Sequence, residues 1–411
     1  MSTLTVKKLP PQDWSTLPLG SLFFEEPKSR VKVEQAATEG RYPFFTSGEA
    51  ILRTDYPLVH GAHLFLATGG TANIKYYEEP ASYSSDTYCI SARNINAKLL
   101  YYNLVRDLNF INYHFFEGSG LKHLQKGSFK QHTISFPNDT SEQQKLAEVL
   151  TTVDETVEET DAIIEKYKRI KQGLMQDLFR YGIDENGQIR SEKTHRFKDS
   201  LLGRIAGEWE IFSIAQLEEM LTSGSRGWAK YYSADGALFL RIGNLTREHI
   251  NLRFDDLVFV TPPKGGEGLR TKTKPDDILI SITADLGIIG IVPDFLDEAY
   301  VNQHIALLRI DFTKADPHWI ALFLASHAGQ KQFQDKNESG AKAGLSLPTV
   351  RSILVPVPKP DEQRRIVTKI DSCDKAIVEE VNYKQKLLAL KRGLMEDLLS
   401  GAVRVNHLIE E

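Results

Sequence analysis

Two stretches of the chain place apolar residues alternately three and four positions apart, the spacing of a coiled-coil seam rather than of a strand. In the first, Leu146, Val153, Thr160, Tyr167 and Leu174 fall seven apart, with Leu150, Val157, Ile164, Lys171 and Leu178 as the companion row. In the second the rows are Ile366, Cys373, Glu380, Leu387 and Leu394, and Ile370, Ile377, Lys384, Lys391 and Leu398. Neither stretch has an internal proline, and Gly173 and Gly393 are the lone glycines before each ends. Asp139, three residues ahead of Glu142, predicts a capping box, and Pro360-Asp361-Glu362 brings a proline and acids to a first turn. Each stretch therefore predicts one helix of about 38 residues, a rod of roughly 57 Å at 1.5 Å per residue.

The second stretch repeats the first. Residues 142–178 align without a gap on 362–398, sharing Glu142/Glu362, Gln143/Gln363, Asp154/Asp374, Glu159/Glu379, Lys166/Lys386 and Lys171/Lys391. Gly173-Leu174-Met175 then matches Gly393-Leu394-Met395, and Asp177-Leu178 matches Asp397-Leu398. A rod with one apolar seam is not stable alone in water, so the economical arrangement packs the two on each other. Antiparallel packing would place whatever precedes each helix at opposite ends of a rigid bar; the alternative is that each helix packs on its own neighbouring domain. Polar seam positions (Thr160, Lys171, Glu380, Lys384, Lys391) either fix register or serve another subunit. Gly173 and Gly393 cost about 1 kcal/mol each relative to alanine, and close helix–helix or helix–partner approach is the expected reason for them.

The segments before the helices are related more distantly. Asp13-Trp14 corresponds to Glu208-Trp209, both tryptophans reading as packing residues; YPFFTSG (42–48) corresponds to ALFLRIGN (237–244), and HLFLATGG (63–70) to DDILISITADLG (276–287). An apolar helix follows in each, Ala97–Phe116 and Asp316–Phe333, the latter opened by Asp316-Pro317 as N-cap and N1. A glycine-rich loop (EGSGLKHLQKGS, NESGAKAGLS) and a β-like run (HTISFP, RSILVPVP) complete each half. Residues 183–205 are polar and irregular and read as a linker.

Composition changes this picture little. At 411 residues, two or more domains are expected, and 41% hydrophobic with 26% charged residues is ordinary for a soluble globular protein. The start of the chain has no apolar signal segment, and no run of about 18 apolar residues occurs, so a cytoplasmic protein without a membrane span is expected. Cys89 and Cys373, far apart, fit a reducing compartment, and neither they nor the 11 histidines make a zinc spacing. A net charge of −5 argues against a broad basic surface, so nucleic acid would have to be met by local patches.

One scaffold decorated twice is a way to hold two different ligands at a fixed separation, and duplex DNA suits that geometry because its half-sites are spaced and antiparallel. Base edges are read by Arg, Lys, Asn, Gln and Ser, with phosphates held by cations, hydroxyls and backbone N–H groups. In the first half the candidates are Ser47, Gly69, Gly70, Thr71 and Lys75, with Lys122 and Lys126 in the densest basic patch. In the second, SGSRGWAKYY interleaves Arg226, Lys230, Tyr231 and Tyr232 with Trp228; Arg241 and Asn244 flank a strand end; Lys264, Arg270, Lys272 and Lys274 follow, and Lys342 lies in the late glycine loop. Tyr76 and Tyr77 are as readily strand core as base contacts. No GxGxxG, GxxxxGK[ST], HExxH or GxSxG occurs. VTPPKGGEG lacks the acid or amide before its prolines, and KPDDILISI reads as a buried strand with a polar entry rather than as a nuclease strand.

The paired EQ…KxGLMxDL helices, each after a variable block ending in an SG…(I/V)xxP-like run, resemble the specificity (S, HsdS) subunits of type I restriction–modification systems, over essentially the whole chain. YPFFTSG with GGTANIKYY is similar to one common target-recognition domain of that family. The resemblance implies an α/β (α+β) tandem pseudo-repeat: two globular target-recognition domains, 1–140 and 206–358, separated by an antiparallel coiled coil of two long helices, 141–182 and 359–403, with a linker at 183–205 and a tail at 404–411. It implies a non-catalytic subunit that reads an asymmetric bipartite target in double-stranded DNA, one half per domain. Its helices would serve as spacer and as docking sites for two methyltransferase (M) subunits, joined by two restriction (R) subunits. AdoMet, ATP and Mg would belong to those partners and no cofactor or metal to this chain. The rival reading is a coiled-coil scaffold for proteins or glycans with no DNA role, which the net acidity favours and the matched basic and glycine loops disfavour.

Overall fold

The computed structural model describes residues 10–262, 265–336 and 344–409. The chain divides into two compact units: residues up to 162 together with those from 381 onward, and residues 163–380. Each unit takes part of both long helices.

In the first unit a four-stranded antiparallel sheet runs in the order Phe23–Glu25, Thr87–Ala92, His63–Ala67, Ile74–Tyr77. His63–Ala67 is buried at every position, as the apolar run Leu64–Ala67 predicts, with the His63 ring bonded to Gly61 O and Glu26. A smaller sheet sets Tyr42–Phe45 antiparallel to Ile51–Thr54 and parallel to Ser82–Tyr83. Trp14–Pro18 pairs antiparallel with Thr133–Pro137, so the strand that opens the block lies beside the one that closes it. The single helix expected over Ala97–Phe116 is two, Ala97–Arg106 and Leu108–Phe115. Asp107 makes the break: its carboxylate is committed to Arg106 Nε and His132 Nε2, both at 2.9 Å.

The second unit repeats this plan. Its antiparallel sheet runs Glu218–Ser223, Ile305–Ile310, Ile278–Ser281, Ile289–Ile291. Ala237–Leu240 is parallel to Ala299–Val301 in a second sheet, matching the Tyr42–Phe45 pairing of the first unit. Glu210–Ser213 pairs antiparallel with Leu354–Val357. The helix expected over Asp316–Phe333 is again two, Pro317–Ala325 and His327–Asp335. Asp316 caps the first by accepting from His318 N at 2.8 Å, and Ser326, with an extended backbone, caps the second. Trp209 and Trp319, both fully buried, meet edge to face at 5.7 Å, and Phe179 of the first long helix packs 5.0 Å from Trp319.

The long helices span Thr140–Tyr181 and Pro360–Leu399. In the first unit Asp154 pairs with Lys391 and Asp161 with Lys384, so numbering rises along one helix as it falls along the other. In the second unit Lys171 pairs with Asp374 at 2.5 Å, while Leu178 and Phe179 share a core with Ile366 and Ile370. The pairing is therefore antiparallel within each unit. Every seam residue is buried or half-buried: Leu146, Leu150, Ile164, Leu178, Ile366, Ile370, Leu387 and Leu398 fully, and Val153, Val157, Tyr167, Leu174, Cys373, Ile377 and Leu394 in part. Lys171 and Lys391 are sequence equivalents, as are Asp374 and Asp154. Two of the repeat's identities thus supply two copies of one ion pair, and these polar seam positions act within the chain.

Two other repeated polar pairs, Glu142/Glu362 and Gln143/Gln363, form a clasp at each helix start. Glu142, 1% exposed, accepts two bonds from Arg404, at 2.6 and 2.8 Å, and the same guanidinium holds Asp13. Glu362, 4% exposed, accepts from Arg190, from Ile183 N at 3.1 Å and from Trp209 Nε1 at 3.3 Å, with Glu208 3.9 Å from Arg190. Gln143 bridges Pro137 O and Asn96 N as Gln363 bridges Pro358 O and Asp316 N. The capping box expected from Asp139 and Glu142 does not form, although Asp139 serves as a simple N-cap. Asp139 accepts from Ser141 N at 2.9 Å, but Glu142 turns to Arg404, because a buried carboxylate needs a cation more than a helix end needs a second cap.

Residues 183–205 are not an irregular linker. Phe197–Ser200 and Gly203–Ala206 form a hairpin, Ile183 is buried, and Arg190 is drawn in by Glu362. Among the described residues Gly173 and Gly393 are not sites of close approach: a Cβ at either meets no atom within 4 Å. The glycines that sterics do require follow the helices. Gly182 (φ +65°) and Gly401 (φ +73°) adopt the left-handed conformation that ends a helix, and a Cβ would strike Trp209 at 2.6 Å or Pro11 at 2.5 Å.

Candidate nucleic-acid interface

In the first unit the two glycine-rich loops meet. Gly70 N donates to Lys122 O at 2.8 Å, Leu124 N donates to Thr68 O at 3.0 Å, and Gly69 bridges His123. Ser47 ties this edge to the next loop, since its hydroxyl accepts from Thr68 N at 3.1 Å and donates to Asp86 O, to which the Thr68 hydroxyl also donates. The loops are thus braced by their own backbones, leaving Thr71 and Lys122 exposed. Lys122 has no ion pair among the described residues. Lys75 is spent internally: its ammonium donates to Thr46 O at 3.2 Å and to Gly48 O, and burial pulls its pKa down. Lys126 lies 3.8 Å over the Tyr88 ring, and burial lowers its pKa as well. Tyr76 donates to Glu78 and packs on Tyr101, while Tyr77 packs on Phe45; both face other side chains of the unit.

In the second unit four loops build one continuous polar edge. Arg270 Nη1 donates to Thr222 Oγ1 at 2.7 Å and Ser223 O at 2.8 Å, and Nη2 donates to Ser225 Oγ at 2.6 Å. Gly224 lies against the backbone of Val301 and Asn302, where a Cβ would come within 2.2 Å of the Asn302 carbonyl carbon. Asn302 Oδ1 accepts from His304 N at 3.0 Å, and Thr283 Oγ1 lies 2.7 Å from His304 Nδ1. Thr283 in turn bridges Gly344, at the end of the late glycine loop. Arg226, exposed, carries no ion pair among the described residues. Lys230 sits 4.9 Å over Tyr231, Tyr232 is 52% exposed, and Trp228 is buried, stacked on Phe239 at 5.3 Å.

Other candidates are braces. Arg241 pairs with Asp256 at 2.7 Å, and the buried Asn244 accepts from Arg241 N and donates to Arg253 O and Asp256 O. Lys272 pairs with Glu298 at 2.8 Å, and that bond, with one from Tyr300, holds the Glu298 carboxyl below its usual range. Lys274 is exposed. Lys264 and Lys342 lie outside the described residues. Asp277, the polar entry of KPDDILISI, is 1% exposed at its side chain and held by Arg309 through bonds of 2.8 and 2.7 Å, a structural role for that pair.

The duplicated frame that carries these two braced loop edges is matched in both halves by a family model. Residues 11–169 and 266–388, well over half the chain, match the type I restriction modification DNA specificity domain. The chain belongs to that family. It is 22% identical over 418 residues to the type I restriction enzyme MjaVIII specificity subunit of Methanocaldococcus jannaschii, covering 97% of this chain and 95% of that one. It is 28% identical over 182 residues to the EcoDI specificity subunit of Escherichia coli, covering 44% and 40%. Its fold is similar to the type I restriction–modification S subunit from M. genitalium, with a TM-score of 0.61 at 16% identity over 97% of this chain and 98% of that one. A chain from a structure of type I R-M complex assembly and conformational transition gives 0.57 at 14% identity, covering 96% and 100%.

Within this specificity-domain protein the stretch from 170 to 265 lies outside the matched residues, and it contains Arg226, Lys230, Tyr231 and Tyr232. Sequence reading passed over Asn302-Gln303-His304. The signal was available: three polar residues interrupt an otherwise apolar run between Ala299–Val301 and Ile305–Ile310. Arg190, Arg404, Gly182 and Gly401 carried no pattern of their own, since their roles depend on groups far away in sequence. Among the described residues no helix is long and apolar enough to cross a membrane.

Proposed function

We propose that this chain is the non-catalytic, DNA-reading subunit of a type I restriction–modification complex in the cytoplasm, with each unit reading one half of an asymmetric, bipartite duplex target. The observation that carries this reading is the duplication of the frame without duplication of the edge. Clasp, seam ion pair, sheet order and broken helix recur, whereas equivalent turns differ: TGGTAN (68–73) in one unit stands where ITADLGI (282–288) stands in the second, and SSD (84–86) where NQH (302–304) stands. A shared frame suits a shared partner, and unlike edges suit unlike half-sites.

In this reading the long helices bear two methyltransferase subunits, with two restriction subunits joining that core, and AdoMet, ATP and Mg reside in those partners. Gly173 and Gly393, open to solvent at equivalent places, suit close approach by such a partner. DNA held by exposed cations such as Lys122, Arg226 and Lys274 should bind with an affinity that falls steeply with salt, about 0.9 logarithmic units per logarithmic unit of salt for each phosphate neutralised. Fluorescence anisotropy of the assembled complex on duplex DNA across a salt series measures this. Affinity indifferent to salt would contradict the reading and favour a protein- or glycan-binding scaffold.

A further inference from the structure

We propose that Gln303 is a base-reading side chain of the second unit, held by His304 so that it presents the hydrogen-bonding pattern complementary to an adenine in the major groove. This rests on the proposed reading of DNA by that unit.

Gln303 sits in the short connection between Ala299–Val301 and Ile305–Ile310, at the centre of the four-loop edge. Its flanks are immobilised. Gly224 packs against the backbone before it, Asn302 caps His304 N at 3.0 Å, and Ile282 N donates to His304 O at 2.9 Å. Arg270 fastens the adjoining 222–225 loop. A side chain on so fixed a backbone loses little entropy when it binds.

The imidazole orients the amide. Gln303 Nε2 lies 2.8 Å from His304 Nε2, and His304 Nδ1 lies 2.7 Å from Thr283 Oγ1. With the amide nitrogen donating, His304 Nε2 is the acceptor and the ring proton is on Nδ1, shared with the Thr283 hydroxyl. One of the two amide protons is thereby used. The other proton and the whole of Oε1 remain, and no other hydrogen bond to this side chain occurs among the described residues. That pair, one donor beside one acceptor, is the complement of adenine N7 and N6–H. Were the amide turned, with Oε1 toward a protonated Nε2, two donors would face outward and suit guanine instead. His304 is thus a positioning residue that selects between two purines by fixing which end of an amide points away.

The test uses the complex assembled with its partner subunits and duplexes that carry the host-methylated target with each base pair of the second unit's half replaced in turn. Wild type should prefer adenine at one pair. Gln303→Ala should lose about tenfold or more of the discrimination at that pair and none elsewhere. Gln303→Glu, which cannot donate, should shift preference at the same pair toward cytosine, whose N4 amine needs an acceptor. His304→Ala should weaken discrimination at that same pair, whereas a merely structural histidine would lower affinity for every duplex alike. Should the alanine variant unfold, the glutamate variant decides. Unchanged base preference in Gln303→Ala or Gln303→Glu, with wild type discriminating normally, overturns the assignment alone. Absence of sequence preference in wild type overturns the DNA reading and this inference with it.

Discussion

Glu142 and Glu362 occupy the same place in the repeat, yet their surroundings differ in a way that sets their contributions apart. Glu362 meets Arg190, whose side chain is 8% exposed, so Glu362→Ala leaves a guanidinium buried without its main partner. Loss of about 3–5 kcal/mol is expected, measurable by chemical denaturation. Arg404 keeps Asp13 when Glu142 is removed and is 28% exposed, so Glu142→Ala should cost less. Equal losses would contradict the difference in burial. Asp107 is an acid-sensitive group of the first unit. Burial opposes ionisation of Asp107, but hydrogen bonds from His132 and Arg106 outweigh it and hold the carboxyl below its usual range. A carboxyl lowered on folding stabilises above its unfolded pKa, about 3.9, and that stability is lost as pH falls through the lower folded value. Asp107→Asn should therefore flatten the acid slope of unfolding free energy below about pH 4, and an unchanged slope would remove Asp107 from the account. None of this was legible residue by residue. Glu142 reads as half of a capping box until Arg404, distant in sequence, is placed beside it.

At the scale of elements the long helices were the most legible part of the chain, because a seam repeated over five heptads carries its own periodicity. Their mutual pairing needed the structure. Lys171 and Lys391 stood in the sequence as flaws in an apolar row, and the antiparallel pairing turns each toward the aspartate of the other copy. Lys171→Ala should destabilise the second unit, and a double-mutant cycle with Asp374→Ala should show coupling of about 1 kcal/mol or more. Additive losses would mean that the pair does not set register. The shorter helices were misread as continuous because Asp107 and Ser326 are weak breakers by propensity. Both act through tertiary or capping bonds that composition does not reveal. The loop edges were half legible: glycines and cations marked where chain meets chain, but not which cations are consumed. Arg241, Arg270, Lys272 and Lys75 proved to be held internally, whereas Arg226 and Lys122 are exposed and unpaired among the described residues. Arg226→Ala with Lys230→Ala should accordingly weaken binding to one half-site and reduce the salt slope by about 1–2. Equal weakening at both halves would point to nonspecific contact.

For the whole molecule, the duplication is the feature that gives function its form. A frame used twice, with unlike edges, predicts a target in two unlike parts. If the helices set the spacing of those parts, one heptad added to both should lengthen the gap by about 10 Å, close to 3 base pairs, leaving both half-sites unchanged. An unchanged gap would deny the helices that role. Sequence alone carried the tandem order of this architecture because both copies of each helix lie in one chain and can be aligned. The bases read at each edge do not follow from that order, since they depend on three or four side chains whose direction the loops impose. The central claim is that each unit reads its own half of one split target. Mapping methylated adenine across the DNA of a host that carries this chain with its partner subunits measures it directly. The account predicts one motif in two unlike parts separated by a fixed gap, with substitutions in one unit altering one part alone. A continuous motif, or a change in both parts from substitutions confined to one unit, would contradict it.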